Sequence, residues 1–168
     1  PVASPRPAVF WRTLDQRRGV AGGGWDGGRA TGRGALPVVE RISAPDWGAG
    51  GWDAEQRGVF GRALGDRGRA FIPVSSGGVS PRQQIPIGPG YQVALAARVR
   101  RETGLPTIAV GLITDAEQAE AIIASGQADL VALARAMLFD LRWPWHAAAT
   151  RGAQVEAPRH YLLLIHIT

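Results

Sequence analysis

Two apolar stretches decide the fold: Pro106-Thr107-Ile108-Ala109-Val110-Gly111-Leu112-Ile113-Thr114 and Ala128-Asp129-Leu130-Val131-Ala132-Leu133-Ala134-Arg135. Each is short, rich in aliphatic residues and bounded by turn residues, which is the pattern of a buried strand. Between them Asp115 to Ser125 reads as a helix, stopped by Gly126. Thr114-Asp115-Ala116-Glu117 has the spacing of a capping box at its start. Strand, helix and strand in this order make two parallel strands whose carboxyl ends lie on one side of the sheet. Gly111 leaves the first strand without a Cβ, so a ligand can come close to the backbone. Arg135 leaves the second with a planar five-donor fork suited to a phosphate.

The same alternation extends upstream. Tyr91 to Thr103 is an amphipathic helix, with Val93, Leu95, Ala96 and Val99 on its apolar side and Gly104 and Pro106 ending it. Phe71-Ile72-Pro73-Val74 is a further strand, and its Pro73, lacking a ladder donor, suits an edge or a strand end. The long Ser75–Gly90 loop separates the two; loops of this length are functional or disordered. Pro37 to Ser43 reads as a first strand, and Asp53 caps a glycine-weakened helix running to about Arg67. Downstream, a short helical piece follows Arg135 to Phe139, and a last helix is expected near His146 to Thr150. Strand and helix thus alternate four times, with strands expected near 37–43, 70–74, 106–110 and 130–133. Such a series is a parallel α/β sheet with helices outside it.

A phosphate held after two successive parallel strands is the habit of the last two strands of a TIM (β/α)8 barrel. A whole barrel needs about 250 residues, and this chain has 168. The expectation is therefore a partial barrel. Its two outer strands would have open edges, and Ile42, Ile72, Ile108 or their neighbours are expected to meet water on an uncovered inner face. Open edges invite pairing with another chain, so homo-oligomerisation or aggregation is expected.

Composition narrows the classes. There is no cysteine, hence no disulfide and no thiolate metal site. All 19 basic residues are Arg, which excludes a Schiff-base lysine and a P-loop lysine. The net charge of +5 favours anionic ligands. No run approaches the ~20 apolar residues of a membrane span, and no signal peptide is recognisable, so a cytoplasmic protein is expected. A start at Pro1 rather than Met reads as a fragment or a processed product. From Gly19 to Gly34 eight of 16 residues are Gly, without a period of 2 or 3.6. Residues 1–35 are therefore read as a disordered or non-native Gly/Arg-rich leader.

Four motifs resemble one family. Val74-Ser75-Ser76-Gly77-Gly78, Gly88-Pro89-Gly90-Tyr91-Gln92, Ala109-Val110-Gly111-Leu112-Ile113-Thr114 and Ala128 to Ala136 are similar, in order and spacing, to the C-terminal half of the Old Yellow Enzymes. These are FMN-dependent NADH:flavin oxidoreductases, and the bacterial NADPH dehydrogenase and xenobiotic-reductase branch is the nearest match. Arg41-Ile42-Ser43-Ala44 and Asp46-Trp47 also fit, so the resemblance spans residues 36–161, leaving 162–168 as a tail. It implies that the four strands are the fifth to eighth of the barrel, with FMN at its carboxyl face. It implies hydride transfer from NADPH or NADH through FMN to a small-molecule substrate, an activated alkene or similar electrophile. It places Arg41 at the pyrimidine edge of the flavin. The backbone at Ala109, Val110, Gly111, Ala134 and Arg135 would hold the FMN phosphate, with the Arg135 side chain as counter-charge. The family's substrate-binding His pair, its flavin-contacting Gln and its proton-donating Tyr come from the other half, so no catalytic residue is assigned here. Two positions depart from the family pattern: Pro73 where Asp is usual, and Leu141 where Pro is usual.

Other readings are weaker. Ser75, Asp129 and His146 have no motif that joins them as a hydrolase triad. His146, His160 and His166 lack metal-ligand spacing. Arg98, Arg100 and Arg101 read as a solvated helix face rather than a nucleic-acid patch. Trp143 and Trp145 either flank a ligand or pack the last helix. The alternative to the oxidoreductase is a non-catalytic barrel remnant, or a module that binds phosphate or nucleic acid.

Overall fold

The computed structural model describes residues 37, 39–45, 47, 61–66, 68–78 and 83–156. The leader, the proposed Asp53 cap and the 162–168 tail lie outside them. Four strands form one sheet: β1 (Ile42–Ser43), β2 (Ile72–Ser75), β3 (Thr107–Ala109) and β4 (Leu130–Val131). Their order is β1-β2-β3-β4 and every pairing is parallel, as the strand-helix alternation requires. The ladders are shorter than the apolar runs, and a single bridge between Val39 and Phe71 extends the first pair. Helices follow as α1 (Val93–Thr103), α2 (Ala116–Ala124), α3 (Arg135–Phe139) and α4 (Trp143–Thr150), with a further helical stretch over residues 61–66.

The pleat sorts the side chains onto two faces. Ile42, Ile72, Val74, Thr107 and Ala109 point to the helical side and are buried there with Leu64, Val93, Ala96 and Val99. α1 packs across β2 and β3, α2 packs on β4, and α4 on α2. The expectation that Ile42 and Ile72 would lie on the uncovered face is therefore overturned: they are 5% and 0% exposed under the helices. Register explains it. Ile42 pairs with Val74, and Ile72 with Thr107, so these residues share one face, while Ile108 opposes Leu130 on the other. Leu130 is 45% exposed and Val39 45% exposed on that open side.

Pro73 lies in an interior strand, contrary to its edge signal. The Ile72 N–H donates to Pro106 O at 2.9 Å, so the alternate donors of β2 face β3. The missing donor of Pro73 falls on the β1 side, between the Val39–Phe71 bridge and the register pair that starts at Val74. The cap of α2 is also shifted by one residue from the expected box. Asp115 is the N-cap: its Oδ1 accepts from Gln118 N at 2.8 Å, and Gln118 Oε1 accepts from Thr114 N at 3.2 Å. Glu117 stands in the first turn, where its charge favours the helix dipole. Helix α4 starts at Trp143 rather than near His146, because Pro144 in a first turn needs no N–H. At the other end of the scale, α1 stops where expected, on Gly104 with φ +71.

Two ion pairs lock the amino ends of the strands. Buried Arg69 reaches Glu40 Oε2 from Nη2 at 2.7 Å and from Nε at 3.1 Å, joining the approaches to β1 and β2. Arg100 on α1 grips Asp129 with both arms, Nε to Oδ2 at 2.9 Å and Nη2 to Oδ1 at 3.1 Å. Asp129 Oδ2 also accepts the Thr107 N–H at 2.9 Å. One carboxylate therefore ties α1, β3 and β4. The hydrogen bonds from Arg100, then that from Thr107, hold the Asp129 carboxyl below the usual carboxylate range. Among the described residues no helix is long and apolar enough to cross a membrane.

Candidate functional site

At the carboxyl ends of β3 and β4 the chain opens a cleft of about 160 Å³. Val110, Gly111, Leu112 and Thr114 line one wall, Ala132 to Ala136 another, and Tyr91 and Gln92 close it from the α1 side. The backbone turns sharply out of β3. Gly111 has φ +119, and Leu112 follows with φ +51, a left-handed conformation that a branched side chain rarely adopts. A Cβ on Gly111 would stand 2.9 Å from Gln92 Nε2 and 3.1 Å from Tyr91 Cε1. Glycine is thus required twice, by conformation and by space. The loop before α1 is fastened here too, since Gly90 N donates to Gly111 O at 2.8 Å.

The opposite wall ends in α3. Its N-cap, Ala134, offers no side-chain cap, and Arg135 opens the helix. Arg135 is exposed and, among the described residues, makes no ion pair or hydrogen bond through its guanidinium. Arg98 and Arg100, by contrast, are paired with Glu102 at 2.6 Å and with Asp129. An unpaired fork beside a glycine turn and uncapped helix amides is a donor set for a phosphate.

Of the residues singled out in the sequence, Val110, Gly111, Ala134 and Arg135 meet in this cleft. Ala109 sits directly behind it: its side chain is fully buried toward the helices and its carbonyl accepts from Ala132 N at 2.8 Å. Arg41 lies across the sheet beside β1, exposed, with Nε donating to Ser75 Oγ at 3.0 Å. Gln92 lines the cleft without having been singled out. It is 5% exposed and its Oε1 has no partner. Its signal was a glutamine closing a glycine-rich loop just ahead of an apolar helix face.

The rival constellations do not assemble. Asp129 is held by Arg100 at the amino end of β4, Ser75 ends β2, and His146 Nδ1 lies 2.7 Å from Asp140 Oδ2 on the far side of α3. That contact, chiefly, holds the Asp140 carboxyl below its ordinary range. Trp143 packs on the core, with Nε1 donating to Thr114 O at 2.7 Å, so it fastens α4 to the turn beyond β3. A larger cleft, about 300 Å³, lies between α2 and α4. Its walls are alanines, Ile123, Val131 and Trp143, and its charges, Glu120 and Arg151, face each other at 3.9 Å. It has no set of converging donors.

The NADH:flavin oxidoreductase / NADH oxidase family matches residues 39–154. A protein named NADPH dehydrogenase from Geobacillus thermodenitrificans is 41% identical over 137 residues, 82% of this chain and 37% of the relative. NADPH dehydrogenases of Listeria innocua and of a second Geobacillus strain are 38% and 40% identical over the same share of the chain. The chain spans less than two-fifths of the length of these relatives. The matched residues include all four strands and the whole cleft. The chain belongs to the NADH:flavin oxidoreductase / NADH oxidase family, the Old Yellow Enzyme group.

Proposed function

We propose that this chain forms the phosphate-binding part of an FMN-dependent, NAD(P)H-driven oxidoreductase of the Old Yellow Enzyme type. On this reading β1 to β4 are the fifth to eighth strands of a (β/α)8 barrel, residues 36–161 are its C-terminal half, and residues 1–35 are a leader outside it. The observation that carries the reading is the cleft: an unpaired Arg135 beside the turn at Gly111, at the carboxyl ends of adjacent parallel strands. Its residues suit FMN, because a Cβ-free turn and a charged fork answer a phosphate monoester.

When bound, FMN supplies two-electron chemistry, taking hydride from NAD(P)H and passing it to an activated alkene or similar electrophile. The chain's own part is binding and electrostatics. The Val110–Gly111 and Ala134–Arg135 backbones hold the phosphate, with Ala109 fixing the end of β3 behind them. The Arg135 guanidinium neutralises it. Arg41, steadied by Ser75, is a cation for the pyrimidine edge of the flavin, where it favours negative charge near N1 and O2. The sequence holds no His-x-x-His or His-x-x-Asn pair. In the family that pair comes from the other half of the barrel, so the part this chain plays is ligand binding, and retention of a phosphate-bearing ligand without turnover is the second reading. Among the described residues nothing pairs with the outer edges of β1 and β4, and these edges with the exposed Leu130 are surfaces for pairing with another chain, a second copy included.

The test is optical. The purified chain is titrated with FMN and with riboflavin, and flavin fluorescence is followed. Tighter binding of FMN supports the phosphate site; equal binding of both flavins contradicts it. NADPH oxidation with an enone acceptor then separates turnover from ligand retention alone.

A further inference from the structure

We propose that Gln92 is a ligand-binding residue of this cleft, donating from its carboxamide Nε2 to the phosphate held between Gly111 and Arg135. The inference rests on the phosphate reading above and adds a side chain to it. Three observations converge. Gln92 is only 5% exposed, and among the described residues its carboxamide makes no hydrogen bond at Nε2 or at Oε1. Its Nε2 lies 2.9 Å from the point where a Cβ on Gly111 would stand, so the amide reaches the space that the glycine leaves empty. Gln92 is also the N-cap of α1, but its side chain makes no capping hydrogen bond.

A buried carboxamide offers two donors and an acceptor, and buried polar groups are almost always paired. No local role uses this one. It neither caps its helix nor bonds a neighbour among the described residues. If the position served packing alone, an unbranched apolar side chain of the same length would fill it without desolvating an amide. A phosphate arriving with the ligand accepts from Nε2; it gives Oε1, itself an acceptor, no donor. A phosphate monoester presents only acceptors when fully ionised, so the nitrogen end is the one it selects. The carboxamide is neutral, so it adds a donor opposite Arg135 without cation–cation repulsion.

The experiment uses the 168-residue chain with FMN, riboflavin and inorganic phosphate as probes. Gln92→Met keeps length and removes the donor; Gln92→Glu keeps shape and turns the donor into an anion. Gln92→Met is expected to weaken FMN roughly tenfold and leave riboflavin unchanged, with a melting midpoint equal to or above that of the parent. Gln92→Glu is expected to abolish both the FMN preference and competition by inorganic phosphate. If Gln92→Met retains the full FMN preference while Arg135→Ala loses it, Gln92 is a packing residue and the inference falls while the phosphate site stands. If Gln92→Met melts early and loses both flavins alike, its role is structural and the inference falls. If the parent chain shows no preference for FMN over riboflavin, the phosphate reading itself fails and takes this inference with it.

Discussion

At the amino ends of the four strands, Arg69 and Arg100 are each closed onto a carboxylate, and Asp129 uses its oxygens on a backbone N–H as well. At the carboxyl ends Arg135 has no partner among the described residues, Gly111 and Leu112 hold left-handed conformations, and Gln92 is buried with an orphan oxygen. One sheet therefore carries two kinds of chemistry. At the amino ends charged groups close onto carboxylates and tie elements together, although the buried Thr107 Oγ1 there has no partner. At the carboxyl ends groups are left unsatisfied or strained, and they await something outside the chain. Parallel sheets allow this division because all carboxyl ends lie on one side, so loops there can change without disturbing the other end.

The sharpest way to break the division is Gly111→Ala, since that residue belongs to both the fold and the cleft. A Cβ at φ +119 adds strain of about 1–3 kcal/mol, and its approach to Gln92 and Tyr91 displaces the α1 loop. The variant is expected to unfold at lower urea and to lose FMN preference together. Unchanged urea midpoints would mean that the turn relaxes at little cost.

Arg135→Ala acts on one end alone. Losing a charge-assisted contact of about 1.5–3 kcal/mol should weaken FMN roughly ten- to a hundredfold, with riboflavin binding and the urea midpoint unchanged. Asp129→Asn is its mirror image. The two-armed grip of Arg100 is lost, and the urea midpoint should fall modestly, as for a partly exposed ion pair, with the ratio of FMN to riboflavin affinity preserved. If Asp129→Asn instead alters that ratio, the two ends are coupled and the division is wrong.

The parallel order and the element positions were legible because apolar runs alternate with amphipathic helices, and because Gly104, Asp115 and Gly126 punctuate them. Which face each strand buries was not legible. The runs 106–110 and 128–133 are apolar on both sides, so period-2 alternation is absent, and only register assigns Ile72 to the helices and Ile108 to the open face. Pro73 misled because the donor it lacks faces β1, where the described pairing is limited to the Val39–Phe71 bridge and the two register pairs from Val74 on. Arg135 and Gly111 were legible as residue types suited to a phosphate. Gln92 was not, because burial without a partner is a property of three-dimensional packing. The shift of the α2 cap by one residue shows the same limit: Thr114-x-x-Glu117 has the spacing of a box, but the cap forms on Asp115 with Gln118.

The smallest effect, and the finest test of the amino-end clamp, is the acid side of the stability profile. The Asp129 carboxyl is held low in the folded chain, first by Arg100 and then by the Thr107 N–H. In the unfolded chain it titrates near its ordinary value, about 3.9. Between these two positions the unfolded state binds more protons than the folded one, so stability rises with pH there. The contribution is complete above about pH 4 and disappears as pH falls through the folded-state value. Asp140, held low by His146, titrates in the same direction, so it adds to the slope. Urea midpoints measured from pH 6 down to pH 3 should therefore fall for the parent, fall less for Asp129→Asn, and fall least for Asp129→Asn combined with Asp140→Asn. An Asp129→Asn profile as steep as the parent's would mean that the Arg100 grip does not persist in solution, and the contrast between the two ends of the sheet would lose its amino-end half.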